Sequence, residues 1–323
     1  MRRREFITLI GGAAAGWPLA ANAQQMPLIG YLYGGSRAQN VGLPGFVQGL
    51  RESGYLDGRN IAVEYRFGDG RNERLPALAA ELVGRGVAAI FAGDNASAMA
   101  ARAATSSIPI VFWVGSDPVK LGLVASFVQP GGNATGVSGL TSQLTAKKLQ
   151  LLRDMAPKAD VVGLLLHPAN PGTETDTSEA QQAARALGLQ ILVVKVSSEG
   201  EIDAAFQTLS EHKAGALLLQ GDTFLARQIG QVIALAARHR LPAIYFHRAH
   251  VAAGGLMSYA ASLPEQYRQA TSYIGRILKG EKPAELPVQQ PARIELVINR
   301  KTADALGIAI PAQLEILADE VIE

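Results

Sequence analysis

Cysteine is absent from this chain of 323 residues. That one absence excludes disulfides, thiolate metal centres, a cysteine nucleophile and a lipidated N-terminal cysteine. Charge of one sign is lacking too. Thirty Lys and Arg meet 28 Asp and Glu, and setting aside Arg2, Arg3, Arg4 and Glu5 of an N-terminal leader leaves 27 of each. No positive field remains to neutralise a phosphate backbone, so nucleic acid is not an expected partner. No Gly-Lys dipeptide occurs, which removes the phosphate-binding P-loop. The stretch GVSGL, residues 136–140, ends in leucine where a Gly-X-Ser-X-Gly nucleophile elbow requires glycine. His247 and His250 fall close together after a strand-like run, but no third ligand at a metal-binding spacing accompanies them. They are read as a surface or loop pair. No catalytic residue, metal or cofactor is expected, and the chain is not read as an enzyme.

What is present begins with an address. Residues 1–23 combine a basic start (Arg2, Arg3, Arg4), an apolar stretch from Phe6 to Ala15 and a small-X-small site at Ala21-Asn22-Ala23. This is the pattern of a cleaved export signal, with twin-arginine character in Arg3-Arg4-Glu5-Phe6-Ile7. The apolar stretch is well short of the roughly 20 residues that span a membrane. The mature chain is expected outside the bacterial cytoplasm, exported, soluble and without an anchor.

The remainder alternates short apolar runs with amphipathic helical stretches. PLIGYLYGG, NIAVEYRFGDG, VAAIFAGDN and IPIVFWVGSDP read as strands, each but the last followed by a helical period. The pattern restarts with VVGLLLHP, LQILVVKVS, AGALLLQGD and LPAIYFHR. Such alternation argues α/β architecture with doubly wound parallel sheets, here in two lobes. A further strand–helix–strand–helix set follows and carries the chain back to each lobe in turn. The expected division is 24–137 plus 257–284 for the first lobe, and 138–256 plus 285–323 for the second. PGGNATG, residues 130–136, falls where one unit stops and the next begins. It is read as the first crossing, with Gly131, Gly132 and Gly136 as the hinge.

In open parallel sheets ligands bind beyond the carboxyl ends of the strands. Those ends read Gly34-Gly35-Ser36, Gly93-Asp94-Asn95-Ala96-Ser97, Gly115-Ser116-Asp117, His167-Pro168-Ala169-Asn170, Gly221-Asp222-Thr223 and His247-Arg248. Any one of them also suits a helix N-cap, since Ser, Asp, Asn and Thr prefer that position. Together they outline a polar cleft.

At these residues the sequence is similar to the TrpX-type ABC transporter substrate-binding proteins. The resemblance is carried by GLRESGYLDGRNIAVEYRFGDGRNERLPALAAELV, SDPVKLGLVASFVQPGGNATGVSGL, VAAGGLMSY, YIGRILKGEKPAELPVQQPARIELVINRKTADALGI and the closing ADEVIE. It implies a type I periplasmic-binding fold, two lobes joined by three crossover segments with a small-molecule ligand in the cleft between them. It further implies a periplasmic monomer serving a cognate ABC permease and ATPase at the inner membrane. Better-understood relatives take aromatic amino acids. Carried over by position, the first lobe would offer Tyr33, Ser36, Asn95, Ala96, Ser97, Phe112, Trp113, Ser116 and Asp117. The second would offer His167, Asn170, Asp222, Thr223, Phe246 and Arg248, with Tyr259 at the return crossing. Trp113, His167 and Thr223 depart from the residues usual in the branch. For an amino acid, the Asn95–Ser97 turn suits the carboxylate, Asp222 the ammonium, and Trp113, Phe112, Phe246 or Tyr33 the side chain. A ligand-sensing ectodomain or regulator on the same fold is the alternative reading, with a secreted enzyme behind it.

Overall fold

The computed structural model describes residues 26–139, 141 and 143–323. The export-signal reading of residues 1–23 lies outside them. The first lobe is built on β1 (Leu28–Tyr33), β2 (Ala62–Phe67), β3 (Ala89–Ala92), β4 (Ile110–Val114) and β5 (Ala134–Ser138). They form one parallel sheet in the order β2-β1-β3-β4-β5. The crossover helices are α1 (Leu43–Glu52), α2 (Leu75–Gly84) and α3 (Asn95–Ala104).

The second lobe holds β6 (Val161–Leu166), β7 (Gln190–Lys195), β8 (Ala216–Leu219), β9 (Ala243–Tyr245), β10 (Met257–Ala260), β11 (Glu295–Asn299) and β12 (Glu320–Ile322). Its order is β12-β11-β10-β9-β8-β6-β7, parallel throughout except between β10 and β11. Around it lie α4 (Thr145–Met155), α5 (Thr173–Leu187), α6 (Gly200–Glu211), α7 (Thr223–Arg227), α8 (Ile229–Arg238) and α9 (Arg248–Ala252). Beyond β10, α10 (Leu263–Leu278) returns to the first lobe and packs on α1 and β4. Its apolar face joins a core of aromatic rings. Tyr31 and Phe91 lie 5.3 Å apart, and Phe91 and Tyr267 5.1 Å apart. Such pairs contribute about 0.5–1.5 kcal/mol each beyond their buried area.

The chain crosses between lobes three times: from β5 to α4, from β10 to α10, and from Gln289 to β11. The lobe boundaries differ from the sequence expectation at two places. Residues 257–260, expected in the first lobe, are β10 and pair with β9 and β11 of the second. Val288 and Gln289, expected in the second, hydrogen-bond to Phe127 and Gly136 of the first. An apolar tetrapeptide fits either open sheet edge, so local pattern did not decide the partner.

The glycine run at 130–136 lies within the first lobe. Gly131 has φ of 77° in a turn that Ala125 N–H closes on Pro130 O at 2.9 Å. Gly132 follows it, and Gly136 is inside β5, where a Cβ would stand 1.9 Å from Phe112 O. The run therefore feeds the inner edge of the first sheet, and the crossing starts only at Gly139.

Candidate ligand-binding site

Between the lobes lies a cavity of about 250 Å³, lined by the carboxyl ends of strands from both sheets. Part of its lining is polar. Asp94 caps α3: its Oδ1 accepts the Ser97 N–H at 2.8 Å, and its Oδ2 accepts Gly34 N–H at 2.6 Å and the Ser97 hydroxyl at 2.8 Å. Asp222 caps α7 in the same way, its Oδ1 accepting from Phe224 and Leu225 N–H at 2.7 and 3.1 Å. Two asparagines tie these caps together across the cleft. Asn95 Nδ2 donates to Ser116 Oγ at 2.8 Å and to Asn170 Oδ1 at 3.3 Å. Asn170 Nδ2 donates in turn to Asp222 Oδ2 at 3.0 Å and Gly221 O at 3.1 Å.

Further contacts hold the lobes together at the rim. Arg227 Nη1 donates to Asp69 O at 2.9 Å, Asn72 Nδ2 to Ala169 O at 3.3 Å, and Lys120 pairs with Glu179 at 3.2 Å. Gly34 sits where no side chain fits easily. A Cβ there would be 3.1 Å from Asp94 Oδ2, 3.2 Å from Thr223 Oγ1 and 3.3 Å from Asn72 Oδ1. Three oxygens from two lobes thus converge above one glycine.

Apolar side chains complete the lining: Trp113, Leu263 and Tyr267 from the first lobe, and Phe246, Ile229 and Ala226 from the second. Trp113 Nε1 donates to Gln266 Oε1 at 2.9 Å, and the Tyr267 hydroxyl donates to Gly93 O. His247 and His250 also line it beside Phe246, with ring centroids 4.9 and 4.5 Å from it.

Electrostatically the cavity is acidic. Among the described residues no lysine or arginine lines it. Burial pushes the Asp94 carboxyl above its usual range, and the nearby Asp222 adds to that. Burial, then Asp94 and Asp222, raises the Tyr33 phenol. Burial holds His250 at about 4, and burial followed by His250 and Lys148 holds His247 well below its ordinary value. Both imidazoles are neutral at pH 7. Behind them Lys148 on α4 is itself pushed down to about 8 by burial, against the pull of Asp176.

A family model described as ABC transporter substrate binding protein matches residues 32–322. The chain belongs to that family. A tyrosine-binding protein of Clostridioides difficile is 26% identical over 264 residues, which are 82% of this chain and 76% of that one. The structure of an ABC domain from Streptococcus pneumoniae in complex with L-Trp is 26% identical, with a TM-score of 0.84 over 92% of this chain and 99% of that one. A conserved domain protein from Vibrio cholerae reaches 0.87 at 25% identity, over 92% of this chain and 100% of its own. The chain thus has the two-lobed α/β periplasmic-binding fold, shared with these structures. No helix among the described residues is long and apolar enough to cross a membrane.

Within this substrate-binding fold, the expected site residues separate into two groups. Tyr33, Asn95, Ala96, Trp113, Asn170, Asp222, Thr223 and Phe246 line the cavity. The others do not. Phe112 is fully buried on the opposite face of β4, in a core with Leu32 and Val114, because neighbouring strand residues point to opposite faces. Ser97 spends its N–H and hydroxyl on Asp94, and Asp117 caps the turn at Val119 and Lys120. Ser36 bonds Gln39, and it is Gln39 that reaches the cavity. Ser116 supports Asn95 from behind. His167 packs tilted against Phe224 with ring centroids 4.8 Å apart, its Nδ1 lying 3.2 Å from Asp222 Oδ1 but out of line for a hydrogen bond. Arg248 is exposed and pairs with Glu320, and Tyr259 packs into the second-lobe core.

The histidine pair is not on the surface. His250 is 6% exposed and both rings line the cavity. Among the described residues no cluster of three or more metal-ligating side chains surrounds them. Asp94, Asn72, Leu263 and Tyr267 were not among the expected contacts. Asp94 has a clear signal, since Asp-X-X-Ser after a strand is a capping pattern at a strand end. Leu263 and Tyr267 arrive on a helix that follows a second-lobe strand, and no local signal places them.

Proposed function

We propose that this chain is the ligand-capturing component of an ABC importer, closing its two lobes on an amino acid with an aromatic or similarly apolar side chain. The observation that carries this reading is the cavity's lining. It combines two carboxylates, Asp94 and Asp222, with the rings of Trp113, Tyr267 and Phe246, and among the described residues no lysine or arginine lines it. An ammonium group matches the carboxylates and a ring the aromatic side chains. The ligand carboxylate is matched by the first turn of α3, where the N–H groups of Asn95 and Ala96 stay free of the Asp94 cap.

The energetics are sufficient. Burying one ring of about 150–250 Å² contributes about 4–6 kcal/mol. Two charge-assisted hydrogen bonds add about 1.5–3 kcal/mol each. Micromolar affinity requires about 8 kcal/mol after ordering costs. Because Asn95, Asn72 and Thr223 meet second- or first-lobe partners at the cavity, a ligand there touches both lobes and favours the closed state by its differential contacts. A permease at the inner membrane then receives the closed, loaded form outside the cytoplasm. The protein works as an exported monomer without a cofactor, binding and releasing its ligand unchanged.

Thermal-shift screening with the common amino acids and aromatic acids tests this reading. Stabilisation by aromatic amino acids is the expected result. Stabilisation only by sugars or by organic acids lacking an amine contradicts it.

A further inference from the structure

A second cavity, of about 600 Å³, lies where the chain crosses between the lobes. Its lining includes Ala261 and Ser262, which join β10 to α10, and Pro291 and Ala292, which lead from Gln289 to β11. The first lobe adds Gly49, Glu52 and Ser53 at the end of α1, and the second adds Glu295 at the start of β11. This cavity is therefore bounded by both lobes and by two of the three crossings.

The start of α10 stands between the two cavities. Leu263 and Tyr267, four residues apart, line the cavity that holds the carboxylates. Ser262, Gln266 and Gln269 line the second one. Residues three or four apart share a helix face, so each cavity takes one face of the same turns. Gln266 joins the two sides. It is 4% exposed, and its Oε1 accepts the Trp113 Nε1–H at 2.9 Å.

The lobes are tied differently at the two cavities. At the first, Asn95 bonds Asn170, Asn72 bonds Ala169, and Arg227 bonds Asp69, each across the cleft. At the second, charged side chains pair within their own lobe. Arg268 on α10 bonds Glu265 and, at 2.7 Å, Glu52. Arg293 pairs with Glu295 at 3.4 Å and with Asp319 at 2.9 Å. Among the described residues no ion pair joins these two sets. The walls of the second cavity are thus free to approach one another. In hinge motion a few element-terminal residues absorb the backbone change while the packed lobes turn as bodies. Lobes that turn about segments between two cavities widen one as they narrow the other.

We propose that the second cavity is the far side of the hinge, narrowing as the cleft between the lobes opens, so that its free volume sets how readily the unliganded protein opens. Bulk placed there holds the lobes together. This rests on the two-lobe closure in the reading above and adds the place from which that closure is controlled.

Pulsed electron paramagnetic resonance on the unliganded protein tests it. The chain has no cysteine, so Val119→Cys and Gln182→Cys give two unique sites for spin labels. Both positions are exposed. Val119 lies beside Lys120 and Gln182 one turn of α5 beyond Glu179, so the labels straddle an ion pair that joins the lobes at the rim. Ala292→Phe then puts a ring into the second cavity from an exposed position on the crossing. The population at the shorter, closed-lobe distance is expected to rise about threefold over the labelled parent. Ser272→Leu fills the cavity from the α10 wall, is expected to act the same way, and serves if the first variant misfolds. A distance distribution identical to the parent's in either folded variant, or a shift to longer separation, overturns the proposal. L-tyrosine that leaves the parent's distances unchanged overturns the amino-acid reading instead, because the hinge result is read without ligand.

Discussion

The side-chain amide of Asn95 hydrogen-bonds Asn170 Oδ1 at 3.3 Å, joining the first turn of α3 in one lobe to the loop after β6 in the other. Asn170 passes the contact on to Asp222. The two lobes are therefore linked by side chains that also line the cavity between them.

Asn170→Ala cuts this link at its centre. It removes the inter-lobe contact and leaves one side of the Asp222 carboxylate without its donor. Loss of such contacts costs about 1–3 kcal/mol. Ligand affinity is expected to fall roughly tenfold or more, measured by calorimetric titration, while far-UV circular dichroism stays that of the wild type.

Asp222 has two duties that different variants separate. It caps α7, and loss of a cap costs about 0.5–2 kcal/mol of stability. Asp222→Asn keeps a capping oxygen and removes only the charge. The Asn variant is expected to unfold within a few degrees of the wild type and to bind an amino acid at least tenfold more weakly. Asp222→Ala is expected to lose both affinity and melting temperature. Unchanged affinity in the Asn variant removes the carboxylate from ligand recognition.

Gly34→Ala places a methyl group 3.1–3.3 Å from oxygens of Asp94, Thr223 and Asn72. Two of these belong to the first lobe and Thr223 to the second, so the methyl group wedges the lobes apart. Affinity is expected to drop about tenfold with little change in the melting temperature of the unliganded chain. A loss of stability without loss of affinity assigns the glycine to folding only.

Much of the fold was legible because parallel α/β units repeat a strong local pattern. The apolar runs that became β1, β3, β6 and β8 are buried on both faces, and helix starts such as Asp94 and Asp222 announce themselves by capping chemistry. Cavity-lining residues were legible where a strand's carboxyl end meets a turn, as at Asn95, Asn170 and Asp222. The alternation of strand side chains decides between Phe112 and Trp113, since only one of two neighbours can face the cleft. Position in the sequence says nothing of the tertiary partner, however. It left β10 on the wrong sheet, hid the return of α10 with Leu263 and Tyr267, and gave no reason to bury His250. The glycine run at 130–136 shows the same limit. Glycine marks a close backbone approach, here to Phe112 O, as readily as a moving joint.

Lys148 gives a pH test of the second lobe's interior. Its pKa is about 8 in the fold against 10.5 as a free side chain. A depressed folded pKa means that folding releases a proton between those values. Its stability contribution is fully present above the unfolded pKa and is lost as pH falls through the folded pKa. Relative to Lys148→Met, the wild type is expected to gain about 2 kcal/mol between pH 7 and pH 10. Urea unfolding of both proteins at the two pH values checks this. A constant difference means that Lys148 keeps its ordinary pKa in the fold.

The most direct measurement compares L-tyrosine with N-acetyl-L-tyrosine by isothermal titration calorimetry. The two share ring and carboxylate and differ in the ammonium group that Asp94 and Asp222 are held to receive. The expected result is one molecule of L-tyrosine per chain with a dissociation constant near micromolar, and affinity for the acetylated form lower by at least a hundredfold. Equal binding of the two, or no binding of L-tyrosine, contradicts capture of an amino acid between these lobes.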